Sequence, residues 1–237
     1  MIMDAHLITK TFGSKTALDK VSVHLEAGKV NVILGPNGAG KTTLISILLG
    51  LCQQDSGMVR LNGEPISLPY TRETRRRFLY LSDTPVVMDY LTGYENLCYL
   101  NNIYGDRRTP DELREILGEF GLDQARDRLV KGYSRGMKQR LCLSTVRLFD
   151  PEIMILDEPT IGLDIIGIRD LAATVTRLKK EGKIILIATH DLSFCRQVAD
   201  EVILLKDGRI CSQGLSGGLD SEAELEQQLL TTFCQAG

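Results

Sequence analysis

Residues 35–43 constrain the fold of this chain more than any other stretch. They read Gly-Pro-Asn-Gly-Ala-Gly-Lys-Thr-Thr and fit a phosphate-binding pattern of glycine, four residues, glycine, lysine and a hydroxyl residue. Residues 29–34 before them are apolar, as in a buried strand, and residues 43–51 after them have a helical pattern. A strand, a glycine loop and a helix bring backbone N–H groups and a helix N-terminus to one point. The sequence therefore predicts a polyphosphate site at this loop.

The residue types of the loop each suit a nucleotide. The glycines let the backbone approach the phosphates closely, Lys41 reaches the β- and γ-phosphates, and the Thr42 hydroxyl is a ligand for Mg²⁺. The alternative is a glycine-rich turn with a chance Lys-Thr pair, which the strand and helix on either side make less favoured. The predicted nucleotide-binding residues of the loop are Gly35, Pro36, Asn37, Gly38, Ala39, Gly40, Lys41, Thr42 and Thr43.

Length, charge and cysteine spacing exclude several classes of protein. The chain has 237 residues, enough for one large domain or two small ones. Its net charge of −3 does not favour a nucleic-acid partner. The six cysteines form no Cys-x-x-Cys pair, which disfavours a zinc site or a disulfide framework and fits a reducing cytosol. The sequence shows no signal peptide and no apolar run near the ~18 residues of a membrane span.

A second apolar strand, predicted within residues 151–158, delivers Asp157 and Glu158 at its end. Open α/β sheets bind ligands at the carboxyl ends of their strands. Because consecutive strand residues point to opposite faces, we expect the two carboxylates to differ in role. One holds Mg²⁺ and the other faces the attacking water. The alternative is a strand that simply leaves the core into solvent.

Two further residues are candidates for the same site. An apolar strand over residues 184–189 leads to His190, which emerges at the same sheet edge and either senses phosphate or is a structural residue. Phe12 lies about twenty residues before the loop and is either a core residue or a platform for an adenine ring.

The middle of the chain, residues 86–150, has helical patterns, which predict a helical insert within an alternating strand–helix domain. Thr92 and Thr109 each begin a predicted helix with a capping signal, and a third helix is predicted from near Ser134 to Phe149. The arginines of 72–77 are either a solvated helix face or a docking surface. A tail helix near 221–233 has an apolar stripe that packs on its own domain or on a partner helix; the stripe is Leu225, Leu229 and Phe233.

Together these segments resemble the ATPase subunit of ATP-binding-cassette (ABC) transporters over nearly the whole chain. The glycine loop resembles Walker A, and residues 153–158 resemble Walker B. Residues 133–140 lie where the family has its signature, residues 158–164 resemble the D-loop, and residues 188–190 resemble the segment with the switch histidine. Phe12 takes the position of the adenine-stacking aromatic.

The resemblance implies an α/β fold: a RecA-like P-loop NTPase core with an N-terminal antiparallel β subdomain and an inserted α-helical subdomain. It implies one ATP-binding domain over residues 1–237, with residues 1–83 and 151–237 as the core and residues 84–150 as the helical signature subdomain. The implied ligands are ATP and Mg²⁺. The implied partners are a second ATPase subunit, in a homodimer or heterodimer, and a multi-span membrane permease that holds the chain at the cytoplasmic face of the membrane; nucleic acid is not among them.

The resemblance also implies a role for each matching residue. Glu158 orients water, His190 contacts the γ-phosphate and Lys41 binds the phosphates, while Thr42 and Asp157 hold Mg²⁺. In a head-to-tail dimer, nucleotide contacts also come from Ser134, Gly136 and Asp164.

Two departures from the family pattern matter. The signature is usually Leu-Ser-Gly-Gly-Gln, but residues 133–137 read Tyr-Ser-Arg-Gly-Met, a variant that resembles the exporter-type branch. The better match at residues 215–219 follows the last predicted hairpin and is interpreted as a plain loop. Asp83 stands at the position of the family's glutamine, where it would add a carboxylate to the metal site.

Two other functions compete with that of a transporter motor. One is an ABC ATPase of DNA repair or translation without a membrane partner, although such proteins carry coiled-coil insertions or two cassettes in one chain. The other is a phosphate-loop kinase or GTPase, although the chain lacks an Asn-Lys-x-Asp guanine motif.

Overall fold

A computed structural model describes residues 1–105 and 108–215. The predicted tail helix near 221–233 and residues 216–219 of the second signature-like match lie outside the described residues. In the described part of the chain the strands are β1 (Ile2–Phe12), β2 (Lys15–Glu26), β3 (Val30–Leu34), β4 (Ser56–Leu61), β5 (Glu64–Pro65), β6 (Phe78–Leu81), β7 (Ile153–Asp157), β8 (Ile184–Thr189), β9 (Glu201–Lys206) and β10 (Arg209–Leu215). The α-helices there are α1 (Lys41–Leu48), α2 (Arg72–Arg76), α3 (Gly93–Tyr104), α4 (Pro110–Glu119), α5 (Arg135–Phe149), α6 (Ile165–Lys180) and α7 (Leu192–Val198).

A six-stranded sheet in the order β10-β9-β3-β8-β7-β6 carries the site. The strands from β9 to β6 run parallel, and β10 pairs antiparallel with β9. The central strands β3, β7 and β8 are buried along their whole length, as expected for parallel strands covered on both faces. Their carboxyl ends, and that of β6, therefore meet at one edge, where residues 35, 82, 158 and 190 begin the loops.

The N-terminal segment forms a second, antiparallel sheet in the order β2-β1-β4-β5. Its hairpin is longer than the short strands expected from the sequence. Register shifts interrupt the pairing of β1 and β2, and Leu7 and Lys20 have positive φ angles. These irregularities break the period-two alternation, so that one long hairpin resembles several short strands in the sequence.

Three apolar clusters hold these parts together. The first packs β1, β2 and α1 against one face of the six-stranded sheet. The second packs α5, α6 and α7 against the opposite face. The third lies within the helical segment and includes residues of α3, α4 and α5. The result is the α/β fold that the resemblance implied, with a sheet covered on both faces.

The helical segment begins each of its first two helices with the predicted capping box. The Thr92 hydroxyl accepts a hydrogen bond from the backbone N–H of Glu95, whose carboxylate accepts one from the Thr92 backbone N–H. Thr109 and Glu112 repeat this arrangement at α4, and Ser134 caps α5. The predicted helices are therefore confirmed, while the subdomain boundaries at 83/84 and 150/151 stay a prediction.

Two properties of the described residues concern membrane spans and cysteines. Within residues 1–105 and 108–215, none of the helices has the length and apolar character needed to cross a bilayer. The cysteines of the described residues are free thiols, at Cys52, Cys98, Cys142, Cys195 and Cys211.

Candidate functional site

The glycine loop follows β3 and opens α1, as the sequence predicted. Gly40 is the N-cap of α1 with φ 110, and a Cβ atom there would lie 2.6 Å from the Ala17 carbonyl oxygen. Only glycine fits this position, because it tolerates both the backbone angle and the close approach. No side chain caps α1, so the N–H groups of its first turn are directed at the space above the loop, where they can bind an anion.

Lys41 begins α1 and extends back across the loop. Its side chain is 7% exposed, and its ammonium group donates a hydrogen bond of 2.6 Å to the Gly35 carbonyl oxygen. The same Nζ atom lies 3.6 Å from Oε1 of Glu158. Lys41 thus places a largely buried positive charge between the glycine loop and the end of β7.

Asp157 and Glu158 stand at the end of β7, but strand alternation does not separate them. Glu158 follows the strand with φ 49, in the left-handed region. That turn of the backbone brings both carboxylates to the same cavity, so the alternation expected from the sequence does not apply to this pair. Burial, followed by the nearby Glu158 carboxylate, raises the pKa of Asp157, because a second negative charge is costly in a confined site.

Glu158 is held from the end of β8 as well. The Thr189 hydroxyl donates to its Oε2 at 3.1 Å, and the His190 backbone N–H donates to the same atom at 3.3 Å. Nδ1 of His190 lies 2.9 Å from Oε2. The structure thus brings His190, Glu158 and Lys41 together, as the sequence predicted for residues at one sheet edge.

A cavity of about 500 Å³ lies over the loop, within the usual size of a ligand site. Phe12 forms part of its wall and is 52% exposed. The Lys10 ammonium lies 5.2 Å from the centre of the Phe12 ring. Its Nζ atom also forms an ion pair with Oδ1 of Asp55 at 2.9 Å. The predicted residues that line the cavity are Phe12, Pro36, Asn37, Gly38, Ala39, Gly40, Lys41, Thr42, Thr43, Asp83, Asp157 and Glu158.

The donors at the base of this cavity suit Mg²⁺ held jointly with phosphate. The Thr42 hydroxyl donates to Oδ2 of Asp157 at 3.4 Å. Across residues 1–105 and 108–215, no group of three or more His, Cys, Asp or Glu side chains is arranged to hold a metal ion. Mg²⁺ commonly takes one or two carboxylates and completes its shell with phosphate oxygens and water. Thr42 and Asp157 fit that role, and Asp83 lies on the same cavity wall.

Five predicted site residues do not line this cavity. Gly35 and His190 still contact residues that line it, namely Lys41 and Glu158, whereas Ser134, Gly136 and Asp164 lie elsewhere. The exposed Ser134 accepts a hydrogen bond of 3.2 Å from the Met137 backbone N–H. Asp164 is also exposed and accepts one of 2.7 Å from the Gly167 backbone N–H as the N-cap of α6. Gly136 lies in the first turn of α5 and lines a separate cleft that Gly167 also lines. Within one chain, these residues do not contact the glycine loop.

Thr189 and Tyr80 contact the predicted carboxylates but were not themselves predicted. Thr189 is fully buried and donates to Glu158, and its place directly before His190 was the signal. The Tyr80 hydroxyl lies 3.5 Å from Oδ2 of Asp157, and burial raises its pKa. The spacing of Tyr80 in the short strand β6 gave no comparable signal, because its neighbour β7 is distant in sequence.

Comparisons with known proteins give matches of one kind, to ATP-binding proteins of transporters. The family model described as ABC transporter matches residues 18–161. The lantibiotic transport ATP-binding protein SrtF of Streptococcus pyogenes is 33% identical over 218 residues, which cover 92% of this chain and 93% of that protein. The daunorubicin/doxorubicin resistance ATP-binding protein DrrA of Streptomyces peucetius is 36% identical over 217 residues, which cover 90% of this chain and 65% of that protein. A solved ATP-binding subunit of an ABC transporter has a TM-score of 0.83 at 29% identity and covers 97% of this chain and 99% of that chain.

Proposed function

This chain belongs to the ABC transporter family, and we propose that its ATP hydrolysis drives a separate membrane permease that exports its cargo. The chain is the ATP-binding subunit and an ATPase, as the resemblance implied. The observation that carries the proposed site of hydrolysis is the contact of Glu158 with Lys41 on one oxygen and with His190 on the other. This arrangement joins the phosphate loop to two neighbouring strand ends.

In the proposed reaction, Lys41 and the first-turn N–H groups of α1 bind the phosphates of ATP. Thr42 and Asp157 would hold Mg²⁺, which would supply positive charge to stabilise the phosphates during phosphoryl transfer. Glu158 orients the attacking water and His190 contacts the γ-phosphate. Since phosphoryl transfer depends mainly on position and charge stabilisation, these groups suffice for the chemistry.

The remaining site residues act across a dimer. Ser134, Gly136 and Asp164 lie away from the loop of their own chain, which supports a head-to-tail pair in which each subunit covers the nucleotide of the other. Ser134 is exposed at the N-terminus of α5, where a hydroxyl group and helix N–H groups suit an anionic phosphate. The γ-phosphate then holds the subunits together, and its hydrolysis releases them.

The names of relatives support export through a permease. SrtF is named for lantibiotic transport and DrrA for daunorubicin/doxorubicin resistance, and a bacitracin transport protein, BcrA of Bacillus licheniformis, is 37% identical over 207 residues. Removal of a toxic compound from the cell is one way in which an ATP-binding protein confers resistance. We therefore place this chain on the cytoplasmic side of a permease.

The substitution Glu158→Gln tests the proposal. The amide keeps the shape of the side chain but removes the base, so ATP binds and is not hydrolysed. We expect phosphate release to fall by about 100-fold or more, and light scattering after gel filtration with ATP and Mg²⁺ should reveal a stable dimer.

The matched control is Glu115→Gln, which makes the same change at an exposed position of α4. It should keep the wild-type rate of hydrolysis and should not trap a dimer. Hydrolysis at the wild-type rate in Glu158→Gln would contradict the role of Glu158. A Glu158→Gln variant that binds ATP but stays monomeric would contradict the dimer.

The membrane partner needs its own experiment. The protein should be isolated from its native membranes in mild detergent, and co-purifying proteins identified by mass spectrometry. We expect a chain with several membrane spans. An active ATPase that never co-purifies with such a protein would favour the alternative of an ABC ATPase in DNA repair or translation.

A further inference from the structure

Arg135 is the residue that departs most in chemistry from the signature pattern, which has glycine at this position. It is the first residue of α5 and is exposed. No carboxylate pairs with Arg135 among the described residues. Its guanidinium group instead donates a hydrogen bond of 3.1 Å to the backbone carbonyl oxygen of Asp83. The side chain therefore reaches from the start of α5 to the segment after β6.

Gly162 gives this side chain room. Gly162 lies in the turn after β7 with φ 72, and a Cβ atom there would lie 2.4 Å from Cδ and Nε of Arg135. Any side chain at position 162 would displace the arginine, because atoms cannot approach so closely. Arg135 thus contacts the segments that follow two neighbouring strands, β6 and β7.

Asp83 depends on this contact for its position. The bond from Arg135 is the one hydrogen bond that Asp83 makes within residues 1–105 and 108–215. Ser82 donates only to the nearby carbonyl of Thr84, and no helix or strand includes residues 82–92. Beyond its covalent link to β6, the backbone at Asp83 is therefore fixed by one hydrogen bond, from a side chain of α5.

The position of Asp83 affects the charge at the base of the cavity. Asp83 lines the cavity with Thr42 and Asp157. Because Coulomb energy falls with distance, a shift of Asp83 away from the cavity weakens the negative potential that attracts a cation there.

We propose that Arg135 is a positioning residue, which holds Asp83 in the wall of the cavity and thereby strengthens binding of the divalent cation with the nucleotide. This inference rests on the proposed function, since it requires that the cavity takes a cation together with a nucleotide. It assigns a role to an arginine that occupies the place of a glycine in the signature.

The test measures equilibrium binding of Mn²⁺, as a stand-in for Mg²⁺, to the full chain with ADP by electron paramagnetic resonance. We expect Arg135→Ala to weaken Mn²⁺ binding about three- to tenfold, the effect of losing one hydrogen bond that positions a ligand. Arg135→Lys keeps the positive charge and a hydrogen-bond donor group, and should reduce Mn²⁺ affinity less than Arg135→Ala does. Lys138→Ala removes a positive charge from the same helix, where Lys138 pairs with Asp89, and should bind Mn²⁺ like the wild type.

Repeating the measurement in a protein that already carries Asp83→Ala separates a positioning role of Arg135 from a general structural role. Asp83→Ala removes the carboxylate but keeps the carbonyl group that Arg135 binds. In this background Arg135→Ala should change Mn²⁺ affinity by less than about twofold, because coupled residues are not additive. Thermal unfolding midpoints check that each variant is folded.

Two results would overturn the proposal while the wild type still binds Mn²⁺ and ADP. One is wild-type affinity in Arg135→Ala. The other is an equal loss from Arg135→Ala with and without the Asp83 carboxylate. A wild-type protein that binds neither Mn²⁺ nor ADP would instead overturn the proposed function, and this inference with it.

Discussion

Each oxygen of the Glu158 carboxylate has its own partners, which defines the site at the scale of single residues. Oε1 faces the Lys41 ammonium at 3.6 Å, and Oε2 accepts from the Thr189 hydroxyl and the His190 backbone. In the proposed reaction Glu158 orients water, and a group with that role must be held in a fixed direction. The positive φ of Glu158 and these contacts provide that direction. We therefore expect ATP hydrolysis to depend on the backbone turn at Glu158 as much as on its carboxylate.

Phe12 provides a test of base recognition at this scale. One side of its ring lies near the Lys10 ammonium, and the side chain is 52% exposed. Stacking of a base on an aromatic ring contributes about 1 kcal/mol or more, so Phe12→Ala should weaken ATP binding by at least about fivefold. Phe12→Tyr should bind like the wild type. Fluorescence titration with a labelled ATP measures both.

Tripolyphosphate is the control ligand for this prediction, because it has phosphates but no base. Its binding, measured by competition, should be the same in Phe12→Ala and in the wild type. If the variant lost both ligands equally, Phe12 would support the fold of the loop instead of the base. If it lost neither, the adenine would lie elsewhere.

The sequence predicted which candidate residues lie together better than it predicted their orientation. Residues 35–43 were predicted because one contiguous motif contains both the loop and its helix. Thr189 and Tyr80 were not, since each acts through a contact with a residue from another strand. The left-handed backbone of Glu158 was also missed, because a non-glycine residue carries no simple sequence signal for positive φ.

At the scale of elements, the helices were predicted well and the first hairpin poorly. Thr92 and Thr109 mark their helices by local capping chemistry, which a sequence contains in full. The β1–β2 hairpin depends on register shifts and on the positive φ of Leu7 and Lys20. Such features follow from pairing between strands, which local alternation does not reveal.

The hairpin contains a pH-dependent contact. His24 on β2 lies opposite Asp4 on β1, with Nδ1 2.5 Å from Oδ1 of Asp4 and Nε2 3.2 Å from Oε1 of Glu26. The hydrogen bonds to Asp4 and then to Glu26 raise the pKa of His24 above 6.5. A raised pKa in the folded state stabilises the protein fully below the unfolded pKa, and this stabilisation is lost as the pH rises through the folded value.

We therefore expect His24→Gln to destabilise the protein more at about pH 6 than at about pH 9. The difference should be less than about 1 kcal/mol, since the side chain is half exposed and solvent screens the pair. Urea unfolding at the two pH values measures it. His6→Gln makes the same change at an exposed histidine of β1 that has no ion pair among the described residues, and it is the control. An equal effect of His24→Gln at both pH values would contradict the ion-pair explanation.

At the scale of the whole molecule, the candidate site is divided between two regions. The glycine loop, Asp157 and Glu158 line one cavity, while Ser134 lies outside it on the start of α5. Ser134 was predicted from its place in a signature-like segment. Its distance from the loop could not be predicted from spacing, because the fold of residues 84–150 relative to the sheet is set by long-range packing.

Complementation between two variants tests whether one site is built from two chains. Lys41→Ala damages the loop and Ser134→Ala damages the covering surface, so each homodimer should lose most hydrolysis. In a mixed head-to-tail dimer, each site combines the loop of one chain with the Ser134 surface of the other. One site therefore combines the damaged loop with the damaged surface, and the other site combines the intact loop with the intact surface. Random mixing should therefore restore roughly a quarter of the sites, measured as phosphate release against protein concentration. The double variant mixed with Lys41→Ala is the control, since no intact site can form from that pair. Equal inactivity of both mixtures would contradict the shared site, as would full activity of Ser134→Ala alone.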